Sequence, residues 1–301
     1  MTTTYVSMVN EILLNLAGYT LRQDRTTHLT QDITSSGLSL NLGSTTNIGK
    51  GVVEIDDELV WLDSYDRVSS SATVAPYGRG YNGTTADAHY TNTKVTVSPT
   101  FPRASVKKAI NDTIDAVFPQ LFAVGVHTFS YNPAISAYSV PIDVQKILYV
   151  SYSVVGPSKE WLPVRNWRFD PLANATAFTT GNSISIYERI QAGRTIQVYY
   201  VKKPDTLEAS APSAIFETVT GLPSSCKDVI IYGASYRLAS FVDPGRLNYS
   251  SAEADQADTK IQYGAGASTA RFMLGLFQQR LQEEASKLKD VYPTRIHYTR
   301  Y

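Results

Sequence analysis

The spacing of apolar residues switches several times along the 301-residue chain, and this alternation constrains the fold more than any other feature. Val6, Val9, Leu13 and Leu16 recur at helical spacing, with Gly18 as a stop, which predicts a short amphipathic helix over residues 4–17. From Asp24 to Pro99 the pattern becomes short alternating runs separated by Gly, Ser and Thr: Leu38, Leu40, Leu42; Val53, Ile55; Leu59 to Leu62; Val95, Val97. Those runs predict a small antiparallel β domain, with Asp56 and Asp57 in a tight turn. Helical spacing then returns in Val106, Ile110, Ile114, Val117 and Leu121, started by Pro102 and ended near Pro119. On this helix Lys107, Lys108, Asp112 and Asp115 read as a solvated face.

A second β region follows, with strand candidates at 138–140, 147–155, 183–187 and 195–201. Trp161, Trp167 and Phe169 lie between these runs, either as an aromatic plug for the sheet or as a ligand platform. A Pro/Ala/Ser linker leads to a helix near 224–242, capped by Ser224 or Ser225, and then to a polar stretch at 248–266. A last helix at about 268–289 carries Phe272, Leu276, Phe277, Leu281 and Leu288, and Pro293 stops it. Short helices are marginal alone. The expected fold class is therefore α+β: a helical bundle assembled from N-terminal, central and C-terminal helices, two projecting antiparallel β domains, and an extended C-terminal tail. Its divisions are 1–23, first bundle helix; 24–100, small β domain; 101–126, central helix; 127–223, second β domain; 224–290, C-terminal helices; 291–301, tail.

Charge narrows the function. Twenty-seven basic residues balance 27 acidic ones, so no basic excess is available to grip phosphates. Charged residues make up only 18%, against about 25% in an average chain, and twenty tyrosines with many Ser and Thr replace them. Tyr combines an apolar face with a polar tip, which suits subunit contacts. A single cysteine, Cys226, excludes an internal disulfide and fits a reducing compartment. The N-terminal stretch lacks the basic start of a signal peptide, and no run approaches the roughly 18 apolar residues of a membrane span, so a soluble protein without membrane partners is expected.

Motifs of catalysis are sparse. His28, His89, His127 and His297 have no metal-ligand spacing, so neither a metal nor a cofactor is expected. Gly78-Arg79-Gly80-Tyr81-Asn82-Gly83 spells a dinucleotide fingerprint, yet no long helix follows to hold a pyrophosphate. Carboxylate pairs occur at Asp56–Asp57–Glu58 and Glu283–Glu284, and the first could line a glycosidase cleft, although acidic turns and helix faces supply such pairs far more often. Cys226 at a helix start could be activated by the helix dipole, but an ordinary helix residue is the stronger reading. No enzyme is expected.

The segment around residues 48–97 resembles a β module of phage virion proteins: strand, acidic turn, strand, then R-G-Y-x-G-T-T-A-x-x-H. Here that is Arg79, Gly80, Tyr81, Gly83, Thr84, Thr85, Ala86 and His89. The order of helices, with PRASVKKAINDTIDAVFPQLF and a long C-terminal helix followed by a tail, is similar to tailed-bacteriophage head-to-tail adaptors (connectors). The resemblance implies a structural subunit in a ring, expected to be a dodecamer, beneath the portal at the neck of the virion, assembled in the host cytoplasm. It implies as partners the portal protein and the next neck or tail protein, with DNA passing through the lumen without sequence-specific contact. Tyr292, Pro293, Arg295, Ile296, Tyr298, Arg300 and Tyr301 are then the expected portal-docking residues. A baseplate or other tail-associated protein is the alternative, and a glycan-binding or depolymerising virion protein the second.

Overall fold

A computed structural model describes residues 3–18, 24–154, 160–208, 211–240 and 265–293. Its fold is mixed α+β, with five α-helices and three antiparallel sheets among the described residues. The helices are α1 (Tyr5–Ala17), α2 (Arg103–Val117), α3 (Phe216–Thr220), α4 (Lys227–Ala239) and α5 (Ala265–Val291).

Thr4 starts α1: its hydroxyl accepts from the Ser7 N–H at 3.2 Å while Ser7 Oγ accepts from the Thr4 N–H at 3.0 Å. The buried stripe of α1 is Tyr5, Met8, Val9, Ile12 and Leu16, so the face turned inward is rotated from the expected one, with Val6 and Leu13 at its margin. On α2 the expected stripe is buried throughout, Leu121 lying just beyond the helix end. Lys107 corrects the expectation of a solvated face: it lies at the spacing of Ile110 and Ile114 and is buried with them. Residues of α1, α2, α3, α4 and α5 contribute to one apolar cluster reaching from Tyr5 to Leu288.

Helix α4 touches α1, α2 and α5 and is buried on nearly every side. Gly233 permits this closeness, because a Cβ there would lie 2.4 Å from Thr113 Cγ2 of α2 and 2.9 Å from the Phe277 ring of α5. Ser224 to Cys226 form a single 3-10 turn before α4, and no side chain caps it; Ser225 instead donates to Glu284 of α5. Leu207, Phe216 and Leu222, expected with the second β region, belong to the helical cluster.

The first sheet has six strands: β1 (Arg25–His28), β2 (Ser39–Asn41), β3 (Gly51–Ile55), β4 (Glu58–Asp66), β5 (Ser71–Val74) and β6 (Lys94–Val97), in the order β1-β6-β3-β4-β5-β2. Its outer strands are tied together past their ends. Thr30 N–H donates to Asn41 O and Gly43 N–H to His28 O, both at 2.9 Å, so the sheet curls towards closure over Leu29, Leu40, Leu42, Val53, Ile55, Val60 and Leu62.

The second β region holds β7 (Ala123–Ser130), β8 (Tyr138–Ser139), β9 (Lys146–Ser153), β10 (Trp161–Pro163), β11 (Trp167–Asp170), β12 (Ser183–Ile186) and β13 (Thr195–Lys202). They form a four-stranded sheet β10-β9-β13-β7 and a three-stranded sheet β11-β12-β8, whose inward residues share one core. Ile196, Val198 and Tyr200 of β13 face that core. Strand β7 starts at Ala123, inside the stretch expected to belong to the central helix, because Pro119 ends helical geometry early enough for strand pairing to begin. Trp167 and Phe169 pack on the core as a plug would, whereas Trp161 is 42% exposed.

Candidate functional site

Three of the expected β-module residues, Arg79, Gly80 and His89, converge on one carboxylate. Strand β4 opens with Glu58, whose side chain points into the loop between β5 and β6 and is 1% exposed. Arg79 Nε donates to Glu58 Oε1 at 2.7 Å and Nη2 to Oε2 at 2.8 Å, a two-pronged pair. The same guanidinium donates from Nη1 to the carbonyls of Thr34 (2.7 Å) and Gly37 (2.9 Å), and from Nη2 to that of Asp87. All its nitrogens are thus engaged. Glu58 further accepts from the N–H groups of Gly80 (2.9 Å) and Asp87 (3.1 Å) and from His89 Nε2 at 2.8 Å. His89 reaches Asp56 through Nδ1 at 3.0 Å.

The remaining motif positions shape the loop around that ion pair. Gly80 has φ of 61°, and a Cβ there would meet the Thr84 carbonyl at 2.7 Å, so only glycine fits. Thr84 Oγ1 accepts from the Leu59 N–H and donates to the Tyr81 carbonyl, both at 3.0 Å. Tyr81 sets its ring 5.1 Å from that of Trp61, Gly83 takes φ of 81°, and Thr85 is exposed. Tyr81 to Gly83 make one 3-10 turn and no phosphate-holding helix follows.

Electrostatics agree with a clamp. Burial alone would raise Glu58, but hydrogen bonds from Arg79, His89, Gly80 and Asp87 hold it at about 2. For His89 burial disfavours the charged ring, and Asp56 and Glu58 overcome that and lift it to about 9. A general acid must hold its proton near neutral pH. Glu58 is held ionised, and its role in the structure is to fix a loop.

A second cluster joins this sheet to the helices. Asp57, in the turn after β3, takes Arg103 Nε at 3.1 Å and Lys107 Nζ at 2.8 Å, both from the first turns of α2. Those two cations hold its carboxyl below the usual range in spite of burial. Lys107 also lies 5.4 Å from the Tyr5 ring centre, and the Tyr5 hydroxyl donates to the Lys107 carbonyl at 3.1 Å. Glu54 of β3 accepts the Arg103 N–H at the start of α2, and burial pushes its carboxyl up to about 7. A cleft of about 780 Å³ runs beside this junction, lined by Asn10, Leu13, Glu54, Asp57, Lys94 and Arg103. Sequence reading missed the junction; the signal was Lys107 standing on the apolar stripe of α2.

The other candidates are placed as follows. Glu284 is buried against Lys287, Arg280 and Ser225, and these contacts hold its carboxyl low despite the cost of burial. Burial pushes the Cys226 thiol up to about 12, the reverse of activation. No three His, Cys, Asp or Glu among the described residues gather as a metal site, and no described helix is long and apolar enough to cross a membrane. Of the expected docking residues, Tyr292 rests against Phe122 with ring centres 6.5 Å apart, and Pro293 follows it. Arg295, Ile296, Tyr298, Arg300 and Tyr301 lie outside the described residues.

No curated protein matches the sequence. A family model described as SU10 adaptor protein matches residues 84–283, from within the Arg79 loop through β6, α2 and the second β region into α5. That span is well over half of the chain, and by it the chain belongs to the SU10 adaptor protein family, a family of phage head-to-tail adaptors.

Proposed function

We propose that this chain is a structural, non-enzymatic subunit that forms a ring, of twelve copies, beneath the portal of a tailed phage, extends the DNA channel and joins head to tail. The family match carries the reading. In this account the helices form a bundle that builds the wall of the ring, and the two β regions project from it towards the next neck or tail protein. Support comes from the distribution of cores: one cluster gathers residues of all five described helices, while each β region keeps a cluster of its own. A subunit so divided can present its sheets to neighbours without disturbing the bundle. Balanced charge suits a lumen through which DNA slides, since a basic bore would retain it.

Portal docking is assigned to Tyr292, Pro293, Arg295, Ile296, Tyr298, Arg300 and Tyr301. Tyr and Arg are favoured where binding energy concentrates. The contact of Tyr292 with Phe122 gives the segment a fixed point of departure from α5. The test is purified portal ring mixed with the protein, with bound copies counted by native mass. Binding of a ring of subunits, weakened about tenfold or more by truncation after Pro293, is the expected result. Binding to a tail component and none to the portal would overturn it in favour of a tail-associated role.

A further inference from the structure

The four-stranded sheet ends differently on its two sides. On one side lies β10, three residues long. Val164 N–H donates to Val150 O at 2.9 Å, and Val154 N–H to Glu160 O at 2.9 Å. With the alternation of an antiparallel ladder, these bonds turn the main chain of Leu162 towards β9 and that of Trp161 and Pro163 outward. Pro163 has no N–H to offer, so this edge is blunted.

On the other side lies β7, paired with β13 from Ala123 to Ser130 without a register shift. Tyr131 N–H donates to Arg194 O, and its carbonyl accepts from Gly193 N–H, each at 2.8 Å. The same alternation then points the main chain of Ala123, Gly125, His127 and Phe129 at β13, and that of Val124, Val126, Thr128 and Ser130 away from it. Among the described residues no strand pairs with this outer side. Exposed edges are usually protected by Lys, Pro or a bulge. Strand β7 has no charged residue, no proline and no bulge.

Neighbouring side chains show what kind of strand would fit. On one face Tyr149, Tyr199 and Val126 stand in a row across β9, β13 and β7, with the two rings stacked at 4.2 Å and Val126 48% exposed at its end. On the other face Phe129 stacks on Tyr138 at 4.3 Å, with His127 5.9 Å from Phe129. An added strand would set alternate side chains beside Val126 and beside Phe129, which suits an uncharged segment rich in β-branched or aromatic residues.

The geometry points to β7 as the place where an extended, uncharged segment of a different virion protein adds to this subunit's sheet. The inference rests on the adaptor reading and deepens it by naming a joining surface. A second copy offering its own β7 could pair only about a two-fold axis, which does not propagate round a ring. Its other edges are poor partners: β10 is blunted, β1 and β2 are tied to each other, and β8 and β11 offer two and four residues.

Amide hydrogen exchange compared between the isolated subunit and purified particles tests this. The amides of Val124, Val126, Thr128 and Ser130 should exchange at least about tenfold more slowly in the particle, while those of His127 and Phe129 are slow in both. Thr128→Pro removes one outward N–H, and Val126→Lys puts a charge beside the edge; neither removes a bond to β13. Both variants should keep portal binding and thermal unfolding but lower the yield of complete particles about tenfold. Equal exchange in subunit and particle would overturn the proposal. So would protection in the isolated subunit that grows with protein concentration, the sign of a second copy, or that disappears on truncation after Pro293, the sign of the chain's own residues. Failure of the adaptor reading would appear separately, as wild-type protein that does not bind portal.

Discussion

Arg79 and Glu58 form a two-pronged ion pair with both side chains buried, and His89 Nε2 closes it at 2.8 Å from Oε2, the oxygen that Arg79 Nη2 also holds. Sequence separation between the pair is 21 residues, so the bond holds a long loop against the strand on which Glu58 sits.

Removing one member of this pair should be costly. Arg79→Met leaves a buried carboxylate facing only His89 and two N–H groups, and about 3–5 kcal/mol of stability should be lost. Glu58→Gln together with Arg79→Met should cost less than the sum of the two single changes, because neither partner is then left charged alone. Urea denaturation followed through Trp61, which packs on Tyr81, measures both. Additive costs would show that the groups do not act as one unit.

The clamp also predicts a pH window. Glu58 sits at about 2 in the fold against an ordinary 4.5, so its contribution is present above pH 4.5 and lost as pH falls through 2. His89 sits at about 9 against 6.5, so its contribution is complete below 6.5 and lost as pH rises through 9. Trp61 fluorescence should therefore report the most stable loop between pH 4.5 and 6.5, with a decline through 9 that His89→Gln removes. An identical decline in that variant would exclude His89 as its source.

Glu54 has the opposite sign for a carboxyl. Burial raises it from 4.5 to about 7, so its favourable contribution is complete below pH 4.5 and lost as pH rises through 7. Glu54→Gln keeps an oxygen for the Arg103 N–H without the charge. The variant should match wild type at pH 4.5 and exceed it by about 1–3 kcal/mol at pH 8.5. A less stable variant at pH 8.5 would mean that negative charge at the start of α2 outweighs burial.

Gly233 should tolerate no side chain. A methyl group would press on Thr113 and Phe277 together, and Gly233→Ala should destabilise the helices by about 1–3 kcal/mol even though alanine favours helix formation. Paired with Thr113→Ser, which removes the nearer methyl group, the loss should shrink. Thermal unfolding by circular dichroism reads both changes. No rescue by Ser would place the obstruction at Phe277.

Much of the framework was legible along the chain. Val106, Ile110, Ile114 and Val117 specify a helix because a period near 3.6 puts them on one side, and all four are buried. Gly80 and Gly83 were legible as turn positions and take positive φ. The buried face of α1 was less so, since its apolar residues outnumber those one stripe can hold and packing chose Tyr5, Met8 and Ile12. Strand β7 was hidden behind Pro119, where the helical pattern stops and the strand pattern starts within a few residues.

By itself, then, the sequence determined the helix and strand types outside β7, β10 and β11, the R-G-Y-x-G-T-T-A-x-x-H loop and the likeness to phage adaptors, because periodicity and turn chemistry are local properties. Only tertiary structure decided that Glu58 is the loop's anchor, that Lys107 is buried against Asp57, and that β7 has a single strand neighbour among the described residues. The reason is physical. Whether a charge is solvated or paired, and whether a strand has one neighbour or two, depends on groups that lie far away along the chain.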